Sequence, residues 1–406
     1  MAESETNAAA PSRLKVGQIL LLIVFGVGFA LAMLLLLLRL FPGLLGDPTA
    51  RAEAGTTLDV TFTYMDGDMW IHQQGRIKPP EENVVLGQYT LSWDENGFRI
   101  PAMTAESYPI AAFGDSFTEG TTVAAPWVDV LAADLDTPVQ NFGYRGYGPH
   151  EIAQVAEQFA GENERSWVLY AHFSGNDLWN ANNAMDQSAR SPITQLDWLV
   201  RQAGDNVEMM NVETRESGIY DYPMPVIIGS SYFESVFLEP LLWWQVAPEE
   251  GFLDTATFDV IRGALDTISE NVNEDACRAI IFIPSKEQIY YPYIHPASRQ
   301  YFDVAYEYPV VNGQNQVVMR KGELPRDDES QLIAHLGDQR DAMRQLAEEK
   351  GWYFIDLLEP FQQAALQEQM LYYIYDGHWN QEGHNLAARV IADFIRQHED
   401  ECPGDA

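Results

Sequence analysis

Residues 108–120 read YPIAAFGDSFTEG. The first six form a short apolar run of the kind that makes a buried strand, and Gly114 and Asp115 break it just before Ser116. A strand that stops at such a turn pushes a hydroxyl out at the sheet's edge. Two readings stay open from the stretch alone. Ser116 is a nucleophile, or it is a small polar residue in a turn, because Gly, Asp and Ser are what any tight turn favours. The choice depends on what the rest of the chain places at comparable positions.

Working outward, the runs PVQNFG (138–143), SWVLYAHF (166–173), RAIIFIP (278–284) and WYFIDL (352–357) read as further buried strands. WVDVLAADL (127–135), HEIAQVAEQFA (150–160), ATFDVIRGALDTISENV (256–272) and IAHLGDQRDAMRQLAEEKG (333–351) have helical spacing between or after them. Strands alternating with helices predict a mostly parallel sheet with helices on both faces. Ligands of such open sheets bind at the carboxyl ends of the strands. The residues just after each run are therefore the candidates for chemistry.

After the second run comes NFGYRGYGPHE (141–151), whose glycines let backbone N–H groups approach a ligand, with Pro149 suited to a helix's first turn. After the third comes SGND (174–177), where Asn176 offers an amide or closes an Asx turn. Near the carboxyl end, YIYDGHWNQEGH (373–384) puts Asp376 two residues before His378, with Asn380 placed to cap the last helix. Hydrolysis of an ester by serine needs a base, a carboxylate to orient it, and donors for the oxyanion. Ser116, the glycines Gly143, Gly146 and Gly148, Asn176, Asp376 and His378 supply that set at predicted strand ends. The remaining histidines read otherwise: His384 as structural, His150 at a helix start, His172 as a core residue inside a strand, and His295 without an orienting carboxylate nearby.

The 406 residues are 46% apolar, enough for a sizeable core, and carry a formal net charge of −36. That charge disfavours nucleic acid and anionic membrane surfaces as partners. Residues 16–38, VGQILLLIVFGVGFALAMLLLLL, contain no charge. At about 1.5 Å per residue they make a helix of roughly 35 Å, long enough for a hydrocarbon core of about 30 Å. The expected organisation is a short cytoplasmic tail (1–15), a transmembrane signal anchor (16–38) contacting the lipid bilayer, a linker (39–56), a β-rich appendage (57–107), and a main domain (108–399) with an insertion at about 178–275. This leaves the bulk of the chain outside the cytoplasm, periplasmic or at the cell surface. Cys277 and Cys402 lack the spacing of a zinc site and could pair with each other in an oxidising compartment.

The four strand-end stretches together resemble the blocks of the SGNH (GDSL-type) hydrolase family. GDSF matches the nucleophile block; the glycine five positions after Asn141 puts the second block's role on Gly146 rather than Gly143; SGND matches the third, with Ser174 where glycine is usual. DGHW has one residue between Asp376 and His378 and looks like the Asp-x-His-Trp form of envelope enzymes related to alginate O-acetyltransferases. The resemblance implies α/β class, a flavodoxin-like three-layer α/β/α sandwich with a mostly parallel sheet, to which the residue patterns above add the β-rich appendage and one transmembrane helix. It implies Ser116, Asp376 and His378 as catalytic residues, Ser116, Gly146 and Asn176 as the oxyanion hole, and no metal or organic cofactor. The expected activity is hydrolysis of a short-chain O-acyl ester, of a small molecule or a carbohydrate. O-acyl transfer onto an envelope or secreted polysaccharide uses the same acyl-enzyme and is the alternative. A non-catalytic surface binding protein on the same fold is the third reading.

Overall fold

A computed structural model describes residues 24–30, 32–33, 51, 54–63, 85–189, 224–237, 239–295, 307–321, 329–373 and 376–402. The chain divides into two units, one of residues 1–50 with 189–208 and the other holding the remainder. In the first unit, residues 24–30 and 32–33 are helical, and Val24, Phe25, Val27 and Phe29 are exposed. Among the described residues no helix is long and apolar enough to cross a membrane. The expected transmembrane helix is therefore not an element of the described structure, because residues 16–23, 31 and 34–38 of its span lie outside the described residues.

In the second unit, β1 (Thr57–Thr63) and β2 (Val85–Ser92) form an antiparallel pair with Thr57 opposite Ser92. Five parallel strands follow at the apolar runs: β3 (Ile110–Gly114), β4 (Val139–Gly143), β5 (Trp167–Phe173), then β8 (Cys277–Ile283) and β11 (Tyr353–Asp356). The hairpins β6 (Met224–Ile228) with β7 (Ser231–Ser235), and β9 (Glu307–Val311) with β10 (Val317–Lys321), stand apart from that sheet. The five-stranded order is β11-β8-β5-β3-β4. Counting only those strands, this is the flavodoxin-like 2-1-3-4-5 arrangement, whose switch point lies between β3 and β5. All residues of β3 and β5 are buried, as expected of strands covered on both faces.

Helices fill the connections: α1 (Ser116–Glu119), α2 (Trp127–Leu135), α3 (Pro149–Phe159), α4 (Asp177–Ala189), α5 (Glu239–Trp243), α6 (Ala256–Asn271), α7 (Lys286–Tyr290), α8 (Glu329–His335), α9 (Asp338–Lys350), α10 (Leu358–Leu366) and α11 (Gln381–Gln397). α2 packs on α11 and α3 on α6. Within 178–275, α6 is thus the crossover helix leading into β8, and the apolar stretch 232–246 sends Val236, Phe237, Leu242, Trp243 and Trp244 into the core. Cys277, the first residue of β8, is disulfide-bonded to Cys402 beyond α11, with Cα atoms 5.7 Å apart and a sequence separation of 125. A loop of that length is worth about 4–5 kcal/mol in the chain-entropy account of cross-links.

Candidate active site

The switch point gathers the candidate residues. Ser116 is the first residue of α1, and in the stretch 111–120 it alone is not buried. The helix starts there because Asp115 caps it: Asp115 Oδ1 accepts from the Phe117 N–H at 2.9 Å. Burial, followed by the nearby Asp177 carboxyl, pushes the Asp115 carboxyl up to about 7. Asp115 thus supports the turn behind the serine and reaches His378 through its charge. Ser116 Oγ lies 2.8 Å from His378 Nε2, and His378 Nδ1 lies 2.5 Å from Asp376 Oδ1. The same Oδ1 also accepts from the His378 backbone N–H at 2.8 Å, which fixes carboxylate and ring in one turn.

The electrostatics follow from this geometry. Burial alone lowers the basicity of His378, but Asp376 beside it, with a smaller contribution from Asp115, holds the imidazole above its ordinary 6.5. Burial alone raises the Asp376 carboxyl, while His378 and then Lys286 hold it below the usual carboxylate range. Nδ1 therefore carries the proton shared with Asp376, leaving Nε2 free to accept from the serine. Phe117 packs its ring against His378 and Trp379, both centroids 5.0 Å away, and backs the pair with apolar surface.

The loop that carries His378 closes on itself through Tyr373 N–H to His378 O at 3.1 Å and Asn380 N–H to Leu371 O at 3.0 Å. Asn380 caps α11 as expected, its side chain accepting from Gly383 N–H at 3.1 Å. From the far side, Lys286 at the start of α7 donates its ammonium to Asp376 O at 3.0 Å and Tyr373 O at 3.2 Å. The nucleophile's loop is held as fully. Every carbonyl from Glu119 to Ala125 accepts from a side chain: Arg99 on those of 119, 120, 123 and 124, Tyr89 on 121, Tyr373 on 122 and Gln381 on 125. The β1–β2 segment is thereby built into the site through Tyr89 and Arg99.

The oxyanion candidates stand on the two strands flanking β3. A Cβ on Gly143 would lie 2.5 Å from the Glu119 backbone N, so that glycine is required by the close approach of α1 to β4. Gly146 has φ +79° and open space around it, at the exposed tip of the loop. Buried Glu119 grips this loop, accepting from the Arg145 backbone N–H at 2.8 Å and from its guanidinium at 2.6 Å. Asn176 ends the turn after β5 and is partly buried, and its Oδ1 has no hydrogen-bond partner. Ser174, which replaces the usual glycine, is used: its hydroxyl donates to Gln288 Oε1 at 2.8 Å, and its carbonyl accepts from Gln245 and Gln339.

The other histidines fall outside the reacting set. His384 is buried, accepts the Trp127 N–H on Nδ1 at 3.1 Å, and is pushed down to about 3 by burial. His172 lies between Asp177 at 3.1 Å and Gln339 at 2.9 Å inside β5. His150 pairs with Gln154 at 3.1 Å on the surface of α3, and His295 is exposed. Sequence reasoning missed Lys286, Arg99, Glu119 and the three glutamines around Ser174. A buried charge in SKEQ (285–288) next to an apolar strand was the one available signal for Lys286.

A Ser-His-Asp constellation at the switch point of a parallel sheet is that of a serine hydrolase. Residues 315–405 match the family model of the SGNH hydrolase-like domain of acetyltransferase AlgX, a span that holds Asp376 and His378 but not Ser116. Over that span the chain thus carries an SGNH hydrolase-like domain. Solved structures similar to it include a GDSL-family lipolytic protein from Veillonella parvula, at 13% identity over 71% of this chain and 98% of that one, TM-score 0.34. A lipase/acylhydrolase from Enterococcus faecalis matches at 13% identity over 72% and 96%, TM-score 0.34. An alpha/beta hydrolase from a Lake Arreo metagenome matches at 14% identity over 72% and 95%, TM-score 0.33. Such values mark a likeness and carry no function across. No curated protein matches the chain in sequence.

Proposed function

We propose that the protein is a serine esterase that splits a short-chain O-acyl ester through an acyl-enzyme on Ser116. The observation that carries this reading is the continuous hydrogen-bonded line from Ser116 Oγ to His378 Nε2 at 2.8 Å and from His378 Nδ1 to Asp376 at 2.5 Å. His378 takes the hydroxyl proton as Ser116 Oγ bonds to the acyl carbon, and Asp376 stabilises the imidazolium that results. The Ser116 and Gly146 backbone N–H groups and the Asn176 amide hold the oxyanion, where fixed donors act without reorganising. As the tetrahedral adduct collapses, the carbonyl re-forms, the bond to the alcohol oxygen breaks, and His378 returns its proton to that oxygen. Water then gives a proton to His378, attacks the acyl carbon, and Ser116 leaves with its proton restored.

A second reading replaces that water by a sugar hydroxyl, making the protein an O-acyltransferase acting on an envelope or secreted polysaccharide. It is favoured by the acetyltransferase-type family match over the segment holding the acid–base loop. Either activity belongs outside the cytoplasm on a membrane anchor at 16–38. The uncharged stretch, the exposed apolar side chains at 24–29, and the Cys277–Cys402 disulfide support that placement.

The test is an acetyl-ester donor offered with and without an oligosaccharide acceptor, beside fluorophosphonate labelling. Ser116→Ala is expected to abolish labelling and cut turnover by about a million-fold. Labelling that survives this substitution overturns the reading. Acetylated oligosaccharide formed in preference to free acetate decides for transfer.

A further inference from the structure

Lys286 is almost completely buried, and it occupies the first position of α7, where a cation meets the positive end of the helix dipole. Neither its burial nor its place in the helix favours a lysine, so the reason for it must lie in what the ammonium touches. Its Nζ donates to the carbonyls of Tyr373 and Asp376, the two ends of the short span leading to the catalytic carboxylate. Its ammonium lies 5.7 Å from the centroid of the Phe237 ring, which helps to desolvate it. A neutral donor would tie down the same carbonyls. A cation does something more, because its field acts on the Asp376–His378 pair in a partly buried setting, where it is screened less than in water.

From this geometry, and resting on the catalytic reading of Ser116, His378 and Asp376, we infer that Lys286 is a positioning residue that both clamps the acid–base loop and sets the basicity of His378 through its charge.

The groups facing His378 from the packed elements are Asp376 on its own loop, Asp115 at the cap of α1, Lys286 on α7, and the neutral His384 on α11. Lys286 in turn faces Glu287 and Asp376. Asp376 and Asp115 raise the imidazole, while Lys286 lowers it. The balance matters because an imidazole held too basic is protonated at neutral pH and cannot accept from Ser116. Asp115 itself titrates near neutrality, but it is common to the wild type and to variants at position 286, so its influence cancels in their comparison. Burial lowers the Lys286 ammonium to about 8, so it loses its charge as pH rises through that region.

The experiment compares the full-length wild type with Lys286→Met and Lys286→Arg, using p-nitrophenyl acetate turnover across pH and fluorophosphonate labelling. In Lys286→Met the acidic limb of kcat/KM is expected to move up by about half to one pH unit. Its kcat should fall about tenfold with little change in KM, as for a misplaced catalytic group. Lys286→Arg keeps the charge and is expected to leave the acidic limb in place. A Lys286→Met limb at the wild-type position overturns the inference, whatever happens to kcat. If that variant does not fold, Lys286→Gln, which keeps a donor and loses the charge, is read instead, and an acidic limb at the wild-type position in it overturns the inference. Wild-type protein with no Ser116-dependent turnover or labelling sinks the catalytic reading and this inference together, whereas active wild type with unmoved limbs sinks this inference alone.

Discussion

The loop that follows Ser116 and the loop that carries His378 meet where Ser116 bonds to His378 and Tyr373 to Thr122, each at 2.8 Å, yet they are fixed by different means. From Glu119 to Ala125 the first is held by side chains reaching in from three distant parts of the sequence: the β1–β2 segment, the His378 loop and α11. The second closes on its own backbone and is tied from outside by the hydroxyls of Tyr372 and Tyr373 on Pro284 O and Thr122 O and by the ammonium of Lys286. A nucleophile needs only a fixed position, which many hydrogen bonds to backbone carbonyls supply. A base also needs a tuned affinity for its proton, which requires charge close by. The two loops differ accordingly in how they should fail.

On the acid–base side, Asp376→Asn is expected to lower kcat about ten-thousand-fold with the fold intact, because the imidazole loses its tautomer and its counter-charge. With the anion gone, the basicity of His378 falls, so the residual activity should show its acidic limb at lower pH than the wild type. A limb that stays in place would deny Asp376 its role. Across the site, Asn176→Ala is expected to cost about 10²–10³ in kcat by removing one oxyanion donor. A change confined to KM would place Asn176 in substrate binding instead.

On the nucleophile side the effects should appear as stability. Arg99→Met removes the guanidinium from the carbonyls of 119, 120, 123 and 124, all but the last on buried residues, and is expected to cost about 3–5 kcal/mol, read as a lowered denaturation midpoint. Loss of activity without loss of stability would contradict the clamp. The smallest effect on the site belongs to the disulfide, which lies away from both loops. Cys277→Ser together with Cys402→Ser should lower stability by about 4–5 kcal/mol and leave kcat unchanged at 25 °C.

Much of this was legible in the chain. The apolar runs at 108–113, 138–143, 166–173, 278–284 and 352–357 gave the five parallel strands, because strands buried on both faces leave continuous apolar stretches. The turns after them yielded the candidates, since Gly, Asp, Asn and Ser end strands for local steric reasons. Gly143 and Gly146 were separable only by counting from Asn141, and the structure gives the distinction a cause: a backbone close to one, open space around the other. Ser174 departed from the expected glycine for a reason no local pattern holds, a hydroxyl that fills the acceptor of Gln288, 114 residues away.

What the sequence determined by itself was therefore the order of strands and helices, the turns that end the strands, and the residue types able to do ester chemistry. Each of these is written in neighbours a few residues apart, where periodicity and turn preference act. Only the tertiary structure decided that the strands take the 2-1-3-4-5 order, that Ser116, His378 and Asp376 touch, and that Arg99, Glu119 and Lys286 hold their loops. Those partners lie far apart in the chain, and a buried carbonyl or carboxylate accepts whichever donor the fold brings to it. Such pairing is decided by proximity in space, and it leaves no period in the sequence to read.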